Sequence, residues 1–397
     1  IAKFGADALR FGVMRAAPLG QDILFDEQNV ELGRNFCNKL WNACRFRQMV
    51  EQASRLSPTD PENISMNETG ATPVLQYEVQ GEIDPKLLSS DDKWILLKLN
   101  AAIREVTIAL NEYKFSDATA TLYRFFWSEY CDWYVEASKA VFFSSSRRES
   151  AQTPVSGKGS QSGLTSAATD AKVANTLAVI DFVLSHTLRL FHPFLPFITE
   201  ELWHGMSYAS GMPGNQGGKT IMFAPWPLPF DDDFKTHYGL SERDEEQIEA
   251  RNELVGQGRN LRRVGNIASN KKVNFIFKPE GNFAPNEIET LKLLLNAGSL
   301  EVNTNYQPAK GTLAARTGLG ELFLPLEGLI DVEAEKARLK KEIEKHESEI
   351  SKVEQKLGNP AFTQKVPATV LEEHKQRLTG WQNKLSHAKA ALDALKG

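Results

Sequence analysis

The sequence predicts a mainly α protein built from a helical bundle, a small α+β unit and a C-terminal antiparallel coiled-coil hairpin. Three observations carry this. Apolar residues recur at helical spacing through long stretches up to Trp226. After Trp226 short strand-like runs alternate with helical ones. From Val332 onward the apolar positions step by four and three, which is a heptad seam. The expected divisions are a lead-in at 1–25, the bundle at 26–226, the α+β unit at 227–328 and the hairpin at 329–397.

Each element has its own local signal. Residues 1–11 read as a short helix followed by an irregular segment. In "FDEQNVELGRNFCNKLWNACRFRQMVEQ", Asp26 is the expected N-cap of a long amphipathic helix whose apolar side holds Phe36, Cys37, Leu40, Trp41 and Cys44. Residues 54–86 are rich in Pro, Ser, Asn, Thr and Asp and are expected to be irregular. A second helix is expected with Ser90 or Asp91 as its N-cap, and a third with Ser116 as its N-cap. The aromatic density of the third, from Phe125 to Tyr134, predicts deep burial. The Ser/Gly/Thr-rich stretch 144–170 is expected to be a flexible insertion. A fourth helix runs to the prolines of "HPFLPF", which break it before a short fifth.

Beyond Trp226, "ERDEEQIEARNELVGQGRNLRRVGN" reads as helix, then "KVNFIFKP" as strand, "APNEIETLKLLLNAG" as helix, and "SLEVNTNY", "TLAARTG" and "ELFLPL" as strands. The final seam runs through Val332, Lys336, Leu339, Ile343, His346, Ile350, Val353 and Leu357. It breaks at "GNPAFTQKVP" and resumes at Leu371, His374, Leu378, Trp381, Leu385, Ala388, Leu392 and Leu395. Pro360 and Pro367 forbid a continuous helix, so the arms fold back on each other.

Composition narrows the class. Of 397 residues, 41% are hydrophobic and 24% charged, a soluble-globular balance that supports two to four domains. No apolar run is expected to approach the roughly 18–20 residues of a bilayer span, and no membrane contact is expected. No signal peptide is apparent. The first residue is Ile1, so the chain is expected to be an internal piece of a longer protein. A net charge of -5 does not by itself point to nucleic acid, which leaves the local distribution of cations to decide. Cys37, Cys44 and Cys131 form no C-x-x-C pair and are expected to be reduced core thiols in a cytoplasmic protein.

A search for chemistry returns little. No phosphate-binding G-x-x-x-x-G-K-[ST] loop occurs, and "GQGRNL" lacks the third glycine of a dinucleotide fingerprint. Glu201 and His204 have an E-x-x-H spacing, but a carboxylate-bridged metal site needs a second copy. No G-x-S-x-G elbow supports a nucleophile. No catalytic or metal-binding residue is expected. The cation and amide distribution is more informative, because Arg and Asn suit phosphates and base edges. One helix face carries Asn35, Asn38, Asn42 and Arg45, with Arg34 and Lys39 beside it. Arg259, Arg262 and Arg263 cluster near Lys271 and Lys272. The second hairpin arm, 365–396, holds six basic residues against three acidic ones, among them Lys375, Arg377 and Lys384.

"FGADALRF" (Phe4–Phe11), "GQDILFDEQNVELGRNFCNKLWNACRF", "LRLFHPFLPFITEELW" and "LEGLIDVEAEKARLKKEIEK" follow one another as they do in the valyl-tRNA synthetase family, which this chain resembles over most of its length. The last of these, with "NPAFTQKVPATVLEEHKQRL", is the most specific to that family. The resemblance implies a ligase that joins valine to tRNA with ATP and Mg, whose catalytic and editing domains precede this chain. It implies that the bundle binds the anticodon stem-loop of tRNA(Val) and that the hairpin reaches the outer corner of the tRNA. The chain alone is expected to need no cofactor, to act as a monomer and to be unable to activate valine. The rival reading is a coiled-coil scaffold for a protein partner.

Overall fold

The computed structural model of the chain describes residues 1–17, 20, 22, 25–55, 82–150, 162–211, 218–283, 285–309, 311–326, 332–358 and 368–394. It divides into two compact units, Ile1–Ile248 and Glu249–Gly397.

The first unit is helical. Its elements are α1 (Ala6–Arg15), α2 (Glu27–Arg55), a 3-10 turn at Pro85–Leu87, α3 (Ser90–Asn111), α4 (Phe115–Tyr123), a π-helical segment (Arg124–Tyr134), α5 (Val135–Ser150), α6 (Ser162–Phe191), α7 (Pro196–Gly205), α8 (Tyr208–Gly211) and α9 (Asp232–Tyr238). The Asp26 carboxylate accepts the Gln28 N–H at 2.9 Å, which starts α2 where its sequence signal lies. Helix α3 begins one residue earlier than its signal suggested. Ser89 is its N-cap, and a reciprocal capping box links Ser89 to Asp92. Helix α4 starts at Phe115 with Lys114, not Ser116, at its N-cap position.

Two expectations of irregular chain are corrected in part. Helix α2 runs to Arg55 and a 3-10 turn occupies Pro85–Leu87, while residues 56–81 lie outside the described residues. In the second stretch α5 continues to Ser150 and α6 starts at Ser162; residues 151–161 lie outside the described residues. Serine and threonine cost only a few tenths of a kcal/mol each inside a helix, so flanking helices that are already anchored can extend through them.

Four rings from four elements meet at the centre of the bundle. Phe36 of α2 stacks on Phe11 of α1 at 4.9 Å and lies 4.9 Å from Phe191 of α6. Phe126 of the π segment meets Phe36 at 5.6 Å and Phe191 at 6.0 Å. All four rings are fully buried. The segment Thr169–Phe191 is long and apolar enough to cross a membrane by length and composition, contrary to the sequence expectation. Yet 89% of its window is buried inside the protein, as befits the central helix of a bundle. Phe230 and Phe234, which follow Trp226, stack at 4.2 Å and pack against Phe182 of α6.

Helices α1 and α2 cross closely because two glycines allow it. A Cβ on Gly33 would press on the Ala8 carbonyl, and one on Gly12 would sit 2.6 Å from the Asn29 oxygen. Gly33→Ala is therefore expected to lower the melting temperature in a thermal unfolding scan, because overpacking strain of about 1–3 kcal/mol outweighs the helix propensity regained, about 1 kcal/mol. A higher melting temperature, as an open helical site would give, would refute the close crossing.

In the second unit, the C-terminal part of α10 (Glu242–Val264) leads into β1 (Val273–Pro279), α11 (Pro285–Leu294), β2 (Ala297–Val302), β3 (Thr312–Thr317) and β4 (Gly320–Pro325). The sheet order is β2-β1-β4-β3, with β1 parallel to β2 and the other pairs antiparallel. Gly258, part of the rejected "GQGRNL" stretch, lies inside α10 against the Leu295 and Leu322 side chains. Its role is close packing of helix on sheet. Helices α12 (Val332–Leu357) and α13 (Ala368–Ala394) pack together. Arg377 approaches Glu349 at 3.8 Å, Lys389 pairs with Glu347 at 2.8 Å, and the His346 ring lies 5.3 Å from Trp381. These contacts fit two antiparallel arms. Seam residues His346, Ile350, Val353, Ala388 and Leu392 are buried. Val332, Lys336, Leu339 and His374 have no described side chain, and Leu395 lies outside the described residues.

Candidate nucleic-acid interface

Helix α2 presents its candidate face to solvent and holds it from behind. Phe36, Leu40, Ala43, Cys44 and Arg47 are buried, so the buried stripe runs along one side. Asn35, Asn38, Asn42 and Arg45 are exposed on the other. Among the described residues, Asn38, Asn42 and Arg45 make no side-chain hydrogen bond or ion pair, whereas Asn35 accepts from Arg34 at 3.3 Å. The stripe gains a member that sequence reading misplaced. Trp41, expected on the apolar side, is 46% exposed. It lies one turn from Asn38 and one turn from Arg45, at the spacing where helix side chains adjoin. Its residue type suggested core, but it lies roughly 100° around the helix from buried Leu40. Met49, one turn beyond Arg45, is 50% exposed. An uncommitted indole among amides and a guanidinium offers both stacking and hydrogen bonding to an unpaired base.

What lies behind this face is equally specific. Arg47 is fully buried and forms a bidentate pair with Asp181 of α6, with Nε to Oδ1 at 3.0 Å and Nη2 to Oδ2 at 2.5 Å. The Tyr208 hydroxyl donates to Asp181 Oδ1 at 2.9 Å. A charged residue two positions from Arg45 would be read as surface, whereas its pairing with α6 accompanies its burial.

Other candidates are placed differently. Arg34 pairs with Glu31 at 2.9 Å and lies over the Phe4 ring. The Lys39 ammonium pairs with Asp132 at 2.9 Å and covers the Trp127 ring at 4.7 Å. Trp127 also stacks on Tyr123 at 5.3 Å, so Lys39 covers a half-buried pair of aromatic rings. Arg262 is buried and donates to the carbonyls of Lys271 (2.8 Å), Leu295 (3.1 Å) and Asn296 (2.7 Å). It joins loops together and does not present its charge to a ligand. Arg259 and Arg263 are exposed, and Asn260 accepts from Arg263 at 2.9 Å. On the hairpin, Lys375, Arg377 and Lys384 are exposed. Arg377 nears Glu349, and Lys384 lies over Trp381 at 4.4 Å.

The remaining polar residues support the scaffold. Asp7 and Arg10 do not pair with each other. The Asp7 carboxylate accepts the N–H groups of Phe197 (3.3 Å) and Ile198 (2.7 Å) at the start of α7, and Arg10 donates to the Pro193 carbonyl at 3.0 Å. Together they fasten α1 to the α6–α7 corner. His192 Nδ1 lies 2.8 Å from the Thr199 hydroxyl, and burial lowers its pKa. Burial pushes His186 down to about 3, which keeps it neutral beside the Phe182 carbonyl. His204 faces Glu200 at 2.9 Å, not Glu201, and Glu200 also accepts from Thr220. Among the described residues no group of three or more His, Cys, Asp or Glu side chains is arranged to hold a metal. The three cysteines are free thiols; burial pushes those of Cys37 and Cys131 up to about 12 and raises that of Cys44.

A helical bundle with an uncommitted amide, indole and guanidinium face is followed by a helical hairpin whose second arm is mildly basic, and these side-chain types suit RNA. Residues 92–277 match the family model "Anticodon-binding domain of tRNA ligase", and the chain is of that class. Residues 331–396 match "Valyl tRNA synthetase tRNA binding arm". Valine–tRNA ligase of Oceanobacillus iheyensis is 31% identical over 401 residues, covering 100% of this chain. That of Bacillus subtilis is 30% identical over 401 residues, again covering 100% of the chain, and that of Carboxydothermus hydrogenoformans is 34% identical over 389, covering 96%. The chain belongs to the valyl-tRNA synthetase family, and it spans 37–39% of the length of these relatives. The α2 face lies before residue 92 and thus outside the anticodon-domain match.

Proposed function

We propose that this chain is the tRNA-recognition part of a valine–tRNA ligase. The observation that carries the reading is the α2 face, where Asn38, Trp41, Asn42 and Arg45 are exposed and uncommitted. Such a face suits the splayed bases of an anticodon loop, which offer π-faces and free Watson–Crick edges. Arg34 and Lys39 flank it as supports, given their existing partners. The hairpin cations Lys375, Arg377 and Lys384 serve the outer corner of tRNA(Val). Binding at two segments of one RNA raises affinity beyond either contact alone. In this reading ATP and Mg serve a catalytic part of the ligase outside these 397 residues.

The chain works as a monomer in this reading, because each hairpin arm covers the apolar seam of the other. It contacts no membrane, since its apolar helix α6 is spent on the core. Buried free thiols suit the reducing cytoplasm. The domain plan that goes with this reading keeps a lead-in at 1–25, the anticodon bundle from 26, the α+β unit and the arm from 329.

The test is twofold. The 397-residue chain should bind tRNA(Val) with an affinity that falls steeply as salt rises, and should not catalyse valine-dependent pyrophosphate exchange. Absence of tRNA binding at low salt would favour the scaffold reading. Pyrophosphate exchange would place a catalytic centre within this chain.

A further inference from the structure

The stretch 254–279 contains Arg259, Arg262, Arg263, Lys271, Lys272 and Lys278 and no Asp or Glu, in a chain whose net charge is -5. The fold turns this run into a fixed surface. Helix α10 ends through Gly265 and Asn266, the latter at a left-handed φ of 52° that asparagine tolerates. Buried Arg262 then ties the turn before β1 to the turn before β2 through three carbonyls. Asn296, also left-handed at φ 50°, donates to the Ser269 carbonyl at 2.7 Å and accepts from the Lys272 ammonium at 2.5 Å. Strands β1 and β2 are parallel and start opposite each other, so both turns lie at one end of the sheet.

Arg263, Lys271 and Lys272 are exposed there. Among the described residues, neither Arg263 nor Lys272 pairs with a carboxylate. Their partners are the amides of Asn260 and Asn296, which orient the cations without neutralising them. Lys278 differs, because it lies 3.5 Å from Glu321. The surroundings are small and polar: Asn266, Ser269, Asn270, Gly298 and Ser299 are exposed. No large hydrophobic residue between 254 and 299 is exposed among the described residues. A protein partner would ask for an apolar anchor at the centre of the contact. Orientated cations among amides and hydroxyls suit a sugar–phosphate backbone instead.

We propose that Arg263, Lys271 and Lys272 form an RNA phosphate-backbone site in the α+β unit, additional to the α2 face and the hairpin. The site reads no base, and it adds affinity and register. This inference rests on the tRNA reading above. Its test uses the full 397-residue chain and tRNA(Val), with affinity measured by fluorescence anisotropy across a salt series. Arg263→Gln with Lys272→Gln is expected to weaken binding at least tenfold at moderate salt. It should also flatten the slope of log affinity against log salt by about 1.4–1.8, since each lost phosphate contact removes about 0.7–0.9. Arg263→Gln alone should remove about half of that slope change, which covers any disturbance of the Asn296 contact by the second substitution. Lys278→Gln should leave the slope unchanged, because its charge is already paired. A wild-type chain that binds with a steep slope that the double variant retains would overturn this site and leave the tRNA reading standing. A wild-type chain that binds no tRNA would overturn both. An unchanged RNA slope together with tight binding of polyglutamate would assign the surface to an acidic protein.

Discussion

Asp181→Ala is expected to destabilise the first unit by about 3–5 kcal/mol, read as a lower midpoint in urea denaturation. The substitution removes the carboxylate that pairs with the fully buried Arg47 guanidinium and accepts from the Tyr208 hydroxyl. An intact pair contributes little net stability, because desolvation offsets attraction, whereas a broken pair leaves an uncompensated charge in the core. The loss is a large share of the roughly 5–15 kcal/mol that holds an ordinary domain together. The double variant Arg47→Met with Asp181→Leu should recover most of it, since neither charge then remains buried. A midpoint unchanged by Asp181→Ala would show that the pair does not fasten α2 to α6. In the proposed reading the effect reaches function, because Arg45 is carried two residues from the fastening point. Loosening α2 should also weaken RNA binding.

Trp41→Ala is expected to weaken binding of tRNA(Val) about 5- to 150-fold. Stacking of a base on an exposed aromatic ring contributes about 1–3 kcal/mol, and about 1.4 kcal/mol is tenfold in affinity. Trp41→Phe should keep most of the binding. The salt dependence separates the roles on this face. Trp41→Ala should leave the salt slope intact, since it removes no cation, whereas Arg45→Ala should flatten it by about 0.7–0.9. Circular dichroism should show unchanged helicity, because the indole lies outside the core. Wild-type affinity in Trp41→Ala would remove the ring from the interface.

The two residues also mark what could be read and what could not. Helical periodicity placed α2, its Asp26 cap and the exposed amides, because burial of one side of a helix repeats with the helical turn. It misassigned Trp41, since a large aromatic residue on the border of an apolar stripe is classed by type and not by angle. It could not foresee buried Arg47, whose partner lies 134 residues away on α6. Asp7 and Arg10 lie one turn apart on α1, yet each binds the α6–α7 corner and not the other. Arg262 looked like one more surface cation beside Arg263. The turns of the sheet gave it three carbonyls and took it inside.

The sequence by itself determined the helical bundle, the small mixed unit, the paired terminal arms and the valyl-tRNA synthetase kinship, because these rest on periodicity, helix-breaking prolines and local motifs. Tertiary structure alone decided which cations and rings remain exposed and uncommitted. Each side chain's freedom depends on partners distant in sequence: Asp132 occupies Lys39, Asp181 occupies Arg47, and the loop carbonyls occupy Arg262. Asn38, Trp41, Asn42 and Arg45 meet no such partner among the described residues and are left facing solvent.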